Sequence, residues 1–233
     1  MMRNLLITSM PVILWIMTVL DAVSIRTMFS YYLQNRKNKM PLLVGIICIG
    51  LFYDSLILAL GALLQPGAFL KFVSQFRYIL HCTMIPLLFP VIALSMKWKP
   101  SVWRAVWAVT IVIMILGLAA GICLVTEPRT VGAINRYAEA DATPGWVDGL
   151  VQMLDIVPVF IMIGAGVLIW IKKKNPHLFF AGFFMLLFTL LGIFLGKDPS
   201  GDRTQSLMFY ISMYGEALMV YFLLLFIKKE DNA

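Results

Sequence analysis

The sequence predicts an all-α, polytopic integral membrane protein: seven transmembrane helices, with the N-terminus outside and the C-terminus cytoplasmic. Three observations predict it. Of 233 residues, 61% are hydrophobic and 13% charged, which is about half the charged share that a soluble domain uses to cover its core. The mean hydropathy is +0.89. The apolar residues gather into seven runs, each close to the ~20 residues that a ~30 Å hydrocarbon core requires. The basic residues gather in alternate breaks between those runs. This composition excludes a cytosolic enzyme, and it excludes nucleic acid as a partner despite the formal net charge of +7. The partner it implies first is the lipid bilayer, in a multi-pass protein of the plasma (inner) membrane.

The seven spans are read at 5–32, 42–64, 76–96, 102–125, 146–171, 178–195 and 205–227. The first could pass for a signal peptide because Arg3 precedes it. It has no small-x-small cleavage site before Asp21, however, and its apolar run is too long for an h-region. The second span opens after Pro41, the fourth after Pro100, the fifth after Pro144 and the sixth after Pro176, and Pro199 lies in the last break. A missing backbone N–H costs least at such places. The third span contains Pro86 and Pro90 and the fifth Pro158, where neighbouring helices can satisfy the freed carbonyls. Gly117-x-x-x-Gly121 in the fourth span is a small-residue face for close helix contact, within the bundle or as the seam of a homo-oligomer or larger membrane complex. Residues 126–145 form the longest polar break, expected as a flexible cap or a lid over a cavity. The spans consume about two thirds of the chain at ~20 residues each. The whole of 1–233 is therefore read as one seven-helix domain.

Topology follows from the basic residues, which are retained on the cytoplasmic side in short loops. Arg36, Lys37 and Lys39 follow the first span; Lys97, Lys99 and Arg104 the third; Lys172, Lys173 and Lys174 the fifth; Lys228 and Lys229 the seventh. On the opposite side Arg3, Lys71, Arg77, Arg129, Arg136, Lys197 and Arg203 are nearly balanced by Glu127, Glu139, Asp141, Asp148, Asp198 and Asp202. Cys48, Cys82 and Cys123 lie in three different spans, so no extracellular disulfide is expected.

Ionisable groups at membrane depth are costly unless they pair or face water, which makes each a site candidate. They are Asp21 and Arg26 in the first span, Asp54 in the second, Arg77 and His81 at the start of the third, Asp148 and Asp155 in the fifth, and Glu216 in the seventh. At ~1.5 Å per residue Asp54, Asp155, Glu216 and His81 lie roughly 16, 14, 17 and 8 Å below the outer surface. Asp148, Gln152 and Asp155 share one helix face; so do Arg77 and His81, and Ser212 and Glu216. Facing these stripes inward, with Tyr53, Tyr78 and Tyr214 nearby, gives an outward-opening polar cavity. The plain alternative is structural pairing, Arg77 with Asp148 or Asp54 with His81. Arg26 is read as snorkelling to the inner interface. Asp21 has Tyr53 or Glu216 as its nearest expected partner. No metal site is read, because His81 and Cys82 are helix neighbours that point about 100° apart. No HExxH, GxSxG or phosphate-binding glycine loop is present.

Arg77-Tyr78, Pro86-Leu87-Leu88 and Ala93-Leu94 together resemble the third helix of the microbial rhodopsins, and Leu207-x-Phe209 with Leu223-Leu224-Leu225 is a fainter likeness in the seventh. The resemblance implies a rhodopsin-like bundle. In an ungapped match, the family's proton-accepting carboxylate falls on Leu80, its internal donor on Val91, its second counter-ion on Met213 and its Schiff-base lysine on Ala217. The seventh span has no interior lysine, so covalently bound retinal is excluded and no cofactor is expected. Arg77, Tyr78 and the proline of the third span survive as scaffold and cavity-mouth features.

The expected function is that of a non-photoactive, rhodopsin-like protein that binds a small polar or amphipathic ligand from outside, as sensor, carrier or accessory subunit. The ligand- or ion-binding residues are Tyr53, Asp54, Arg77, Tyr78, His81, Gln152, Asp155, Tyr214 and Glu216. A proton- or cation-coupled transporter with Asp21 as an inward relay is one alternative. An intramembrane lipid- or isoprenoid-modifying enzyme is the other.

Overall fold

The computed structural model describes residues 2–197 and 205–231. Met1, Asp198, Pro199, Asp202 and Arg203 lie outside the described residues. Helix α1 (Met2–Gln34) is followed by α2 (Met40–Leu60), α3 (Ala68–Met84), a 3-10 turn at Ile85–Leu87, α4 (Leu88–Ser95) and α5 (Pro100–Cys123). Strands β1 (Thr126–Val131) and β2 (Ile134–Glu139) come next, then α6 (Gly145–Lys173), α7 (His177–Leu195) and α8 (Met208–Asp231). Among the described residues seven helical stretches are long and apolar enough to cross a membrane. Helices α3 and α4 and the turn between them make one of them, Ala68–Ser95. Pro86 cannot donate to the helical ladder, and the chain tightens there for one turn before the helix resumes.

The third span starts at Ala68, not Phe76. Its first two turns carry Lys71, Ser74 and Gln75, whose polarity hides the helix from a hydropathy count. Leu70 and Ser74 nonetheless turn inward, while Phe69 and Phe72 face out. The second span ends at Leu60 because the chain bends at Gly61 to receive the hairpin.

Each span packs on its chain neighbour, and α1 packs on α8 to close the ring. The burial of the most apolar window is 67% for α2 and 56% for both the α3–α4 span and α8, but 22–33% for α1, α5, α6 and α7. The second, third and seventh spans therefore form the interior. The other four turn broad apolar faces outward, such as Val12, Ile16 and Val19 on α1 and Ile111, Val112 and Ile115 on α5. The ends are tied differently. At one end Lys173 Nζ lies 2.5 Å from Glu230 Oε2 and also donates to the Ser95 carbonyl, while Asn175 Nδ2 donates to the Phe226 carbonyl at 3.3 Å. That end holds the basic loops, and beside it the bundle fills with an apolar cluster that includes Met28, Ile47, Leu51, Leu88, Val91, Met162, Leu223 and Phe226.

The other end adds a small two-stranded sheet to the otherwise all-α bundle. Residues 126–139 form an antiparallel hairpin, with Val131 opposite Ile134 and Gly132 at φ 59° in the turn. The break is thus an ordered element rather than a flexible cap. Val131 and Ile134 are fully buried and anchor it, and the Asn135 amide donates to the Gly61 carbonyl at 2.9 Å. Asn135 Nδ2 donates to the Leu64 carbonyl at 3.0 Å. A Cβ on Gly61 would lie 2.2 Å from the Asn135 carbonyl oxygen, so this contact requires glycine.

Gly117 and Gly121 resolve the other open alternative in favour of packing within the bundle. Added Cβ atoms there would lie 2.3 Å from the Cys82 carbonyl oxygen and 2.7 Å from the Ile79 Cα, so the glycines let α5 lie against the backbone of α3.

Candidate functional site

Five ionisable side chains from four elements converge beneath the hairpin. Asp54 stands on α2, Arg77 and His81 one turn apart on α3, Asp155 on α6 and Glu216 on α8. Arg77 Nη1 lies 3.0 Å from Asp54 Oδ1, an ion pair between two buried groups. His81 sits between two carboxylates, with Nε2 3.3 Å from Asp155 Oδ1 and Nδ1 4.0 Å from Asp54 Oδ2. Glu216 is only 7% exposed, and its Oε2 is buried without a hydrogen-bonding partner among the described residues. Asp54, Arg77, His81, Asp155 and Glu216 all line a cavity of about 260 Å³, walled on its apolar side by Val159, Phe160, Met185 and Leu186.

A second cavity of about 850 Å³ lies toward the hairpin and is lined by Arg129, Glu139, Asp141, Asp148, Gln152 and Lys197. The two cavities share Tyr78, Arg136, Met208, Phe209 and Ser212. These residues form a throat between an outer vestibule and an inner chamber. The Arg136 guanidinium lies 3.7 Å over the Phe209 ring centre, and Arg77 lies 4.6 Å over Tyr78. The Tyr78 hydroxyl reaches the Tyr137 carbonyl of β2 at 3.5 Å. Burial, with the charges of Arg77 and Arg129 behind it, pulls Arg136 down to about 10, so it remains a cation at neutral pH. In the vestibule, burial raises the Glu139 carboxyl, and the nearby charges of Asp148 and Asp155 raise it further.

Not every expected residue reaches the inner chamber. Asp54, Arg77, Tyr78, His81, Asp155 and Glu216 do. Gln152 lines the vestibule instead, its Nε2 donating to Asp148 Oδ1 at 2.6 Å one helical turn away. Tyr53 points elsewhere: its hydroxyl donates to the Val73 carbonyl at 3.2 Å and its ring meets Phe76 edge-on. Tyr214 shares a 2.7 Å hydrogen bond with Tyr210, and its ring stacks on Phe188. Asp21 pairs with neither Tyr53 nor Glu216; its Oδ2 accepts from the Ser55 hydroxyl at 2.9 Å. Arg77 pairs with Asp54 rather than Asp148, because the second span is closer to it than the α6 end.

The residue that sequence reasoning missed is Arg136. In the sequence it is one of several basic residues in a polar break, and only its apolar neighbours Ile134, Tyr137 and Ala138 mark that stretch as covered. Thr189 and Met185 of α7 were also missed, because that helix has no ionisable residue beyond His177 at its start to draw attention to its inner face. No family model and no curated protein matches the chain.

Proposed function

We propose that this is a seven-helix membrane protein that binds a small ligand in its inner chamber, entering through the vestibule from the outer side of the membrane, and that it acts as a sensor, carrier or accessory subunit. The observation that carries this reading is Glu216. A carboxylate brought out of water without a donor loses several kcal/mol, and the fold places this one on a cavity wall. Such a group is an acceptor waiting for a cationic or hydrogen-donating partner. The chamber is smaller than the ~300–1,000 Å³ of drug-sized pockets, so the ligand is small. Its apolar wall suits an amphipathic body, and Arg136 at the throat offers a cation to any acidic end.

The outward direction rests on the charge sorting: the chamber opens at the end opposite the basic loops, which the positive-inside rule puts in the cytoplasm. A rhodopsin-like kinship is consistent with seven spans and with Arg77 and Tyr78 at the chamber mouth. The lysines of α8, Lys228 and Lys229, stand in its last turn; with none in its interior, covalent retinal has no amine to attach to at chamber depth and is not the ligand proposed. A proton- or cation-coupled relay is the second reading, favoured by the Asp21–Ser55 hydrogen bond beside Asp54. The apolar cluster that fills the basic half of the bundle weighs against a through route and favours a dead-end binding pocket.

The test is thermal stabilisation of the purified, detergent-solubilised protein by a homologous series of short alkylamines. Wild type gains melting temperature in their presence, and Glu216→Gln gains none. Equal responses from the two proteins would remove the ligand-binding reading.

A further inference from the structure

We propose that Asp54, His81 and Glu216 form a binding site for a divalent first-row transition-metal ion such as Zn2+ or Mn2+, held at the floor of the inner chamber. This rests on the ligand-binding reading of the same cavity and names what Glu216 binds. One donor atom from each of the three residues lies within 4.8 Å of the other two. The residues come from α2, α3 and α8, which belong to the three most buried spans, so their mutual position is set by the core of the bundle.

The geometry around each donor points the same way. His81 presents Nε2 to Asp155 Oδ1 at 3.3 Å, and that leaves Nδ1 facing Asp54 Oδ2 at 4.0 Å. The second distance is too long for a hydrogen bond. It is about 0.4–0.7 Å longer than the ~3.3–3.6 Å between two donors that share one tetrahedral ion through bonds of about 2.0–2.2 Å, a gap that a small rotation of either side chain closes. A carboxylate on the distal imidazole nitrogen is the arrangement that fixes the tautomer and aims the ring of a metal-ligating histidine. Arg77 pairs by charge with Asp54 through Oδ1 at 3.0 Å, and Oδ2 is the oxygen that lies 4.0 Å from His81 Nδ1.

Glu216 supplies the independent observation. It is more than nine-tenths buried, its Oε2 has no hydrogen-bonding partner among the described residues, and it lines the same cavity. With His81 neutral, as a ligand must be, the three carboxylates Asp54, Asp155 and Glu216 outnumber the guanidinium groups of Arg77 and, at the throat, Arg136. A divalent cation would bring the cluster close to neutrality. One imidazole and two carboxylates suit Zn2+, Mn2+ or Fe2+ better than Ca2+, which takes six to eight oxygens. Three protein donors facing an open chamber leave coordination positions for water or a further ligand, as in catalytic rather than structural sites.

The full-length protein, free of any affinity tag and stripped with a chelator, is titrated with Zn2+ or Mn2+ alone. Bound metal is read by elemental analysis, melting temperature by thermal unfolding, and Co2+ uptake by visible absorption as a report on ligand type. Wild type should take up one ion per chain and melt higher. Glu216→Gln should lose at least ~100-fold in affinity while folding normally, since its Oε2 accepts no hydrogen bond among the described residues. Asp155→Asn should keep the stoichiometry and lose ~10–100-fold. His81→Gln should abolish the Co2+ spectrum of a nitrogen-ligated site; if that variant fails to fold, Glu216→Gln alone decides. No uptake by wild type, or unchanged affinity in folded Glu216→Gln, would overturn the proposal. If alkylamines still stabilise wild type through Glu216 in that case, the metal assignment fails and the ligand-binding reading stands. If neither binds, both fail.

Discussion

Asp54 and Glu216 face the same chamber, yet their substitutions should have opposite costs. Asp54 is committed to Arg77, and removing it strands a buried guanidinium, a change that typically costs about 3–5 kcal/mol. Asp54→Asn should therefore melt well below wild type. Glu216→Gln removes a carboxylate whose Oε2 accepts no hydrogen bond among the described residues, and whose burial costs more than its attraction to His81 and Arg77 returns; it should melt at or above wild type in metal- and ligand-free buffer. Thermal unfolding of the two variants side by side checks both. If Glu216→Gln proved the more damaging, the carboxylate would have a structural partner and its reading as a free acceptor would fail. At this scale the sequence was legible wherever one helix decides the answer. Arg77 and His81 were placed on one face by their spacing, and so were Asp148, Gln152 and Asp155. Pairing between helices was not legible. Asp21 finds Ser55 and Arg77 finds Asp54 because of how α1, α2 and α3 are rotated against one another, and apolar runs fix that rotation only loosely.

The helix contacts and the hairpin depend on a few glycines, each of which makes a prediction. Gly121→Ala puts a methyl group against the Ile79 backbone, so α5 has to move away from α3. A loss of about 1–3 kcal/mol is expected, as for other overpacked sites, and the melting temperature should report it. Gly61→Ala should act differently. Its Cβ would meet the Asn135 carbonyl, so the hairpin should lift while the bundle stays folded. Limited proteolysis added from the hairpin side should then cut within residues 126–139 of the variant but spare wild type. Equal cleavage of the two would show that Gly61 does not hold the hairpin. The seven spans were legible because burial in lipid demands long apolar runs. The hairpin was not: its residues are a polar mixture, and its order comes from contacts with Gly61 and Leu64, far away in the chain.

For the whole molecule the account joins three features: a ring of seven spans, a basic end closed by an apolar cluster, and an opposite end where a vestibule leads past Arg136, Phe209 and Ser212 to the acidic chamber. Composition and the sorting of charge made the first two legible. The third needed coordinates, because the chamber takes one or two residues from each of several helices and its throat includes a strand residue. Charge sorting predicts that the vestibule faces outward. The most direct test is a single cysteine at Ser212, in a chain whose Cys48, Cys82 and Cys123 are replaced by alanine, probed in intact cells with a small, charged, membrane-impermeant thiol reagent. The account predicts that Ser212→Cys is labelled from outside and that Arg136→Trp, which crowds the throat, slows that labelling. Labelling only after the cytoplasmic face is exposed, or none from either side, would contradict it.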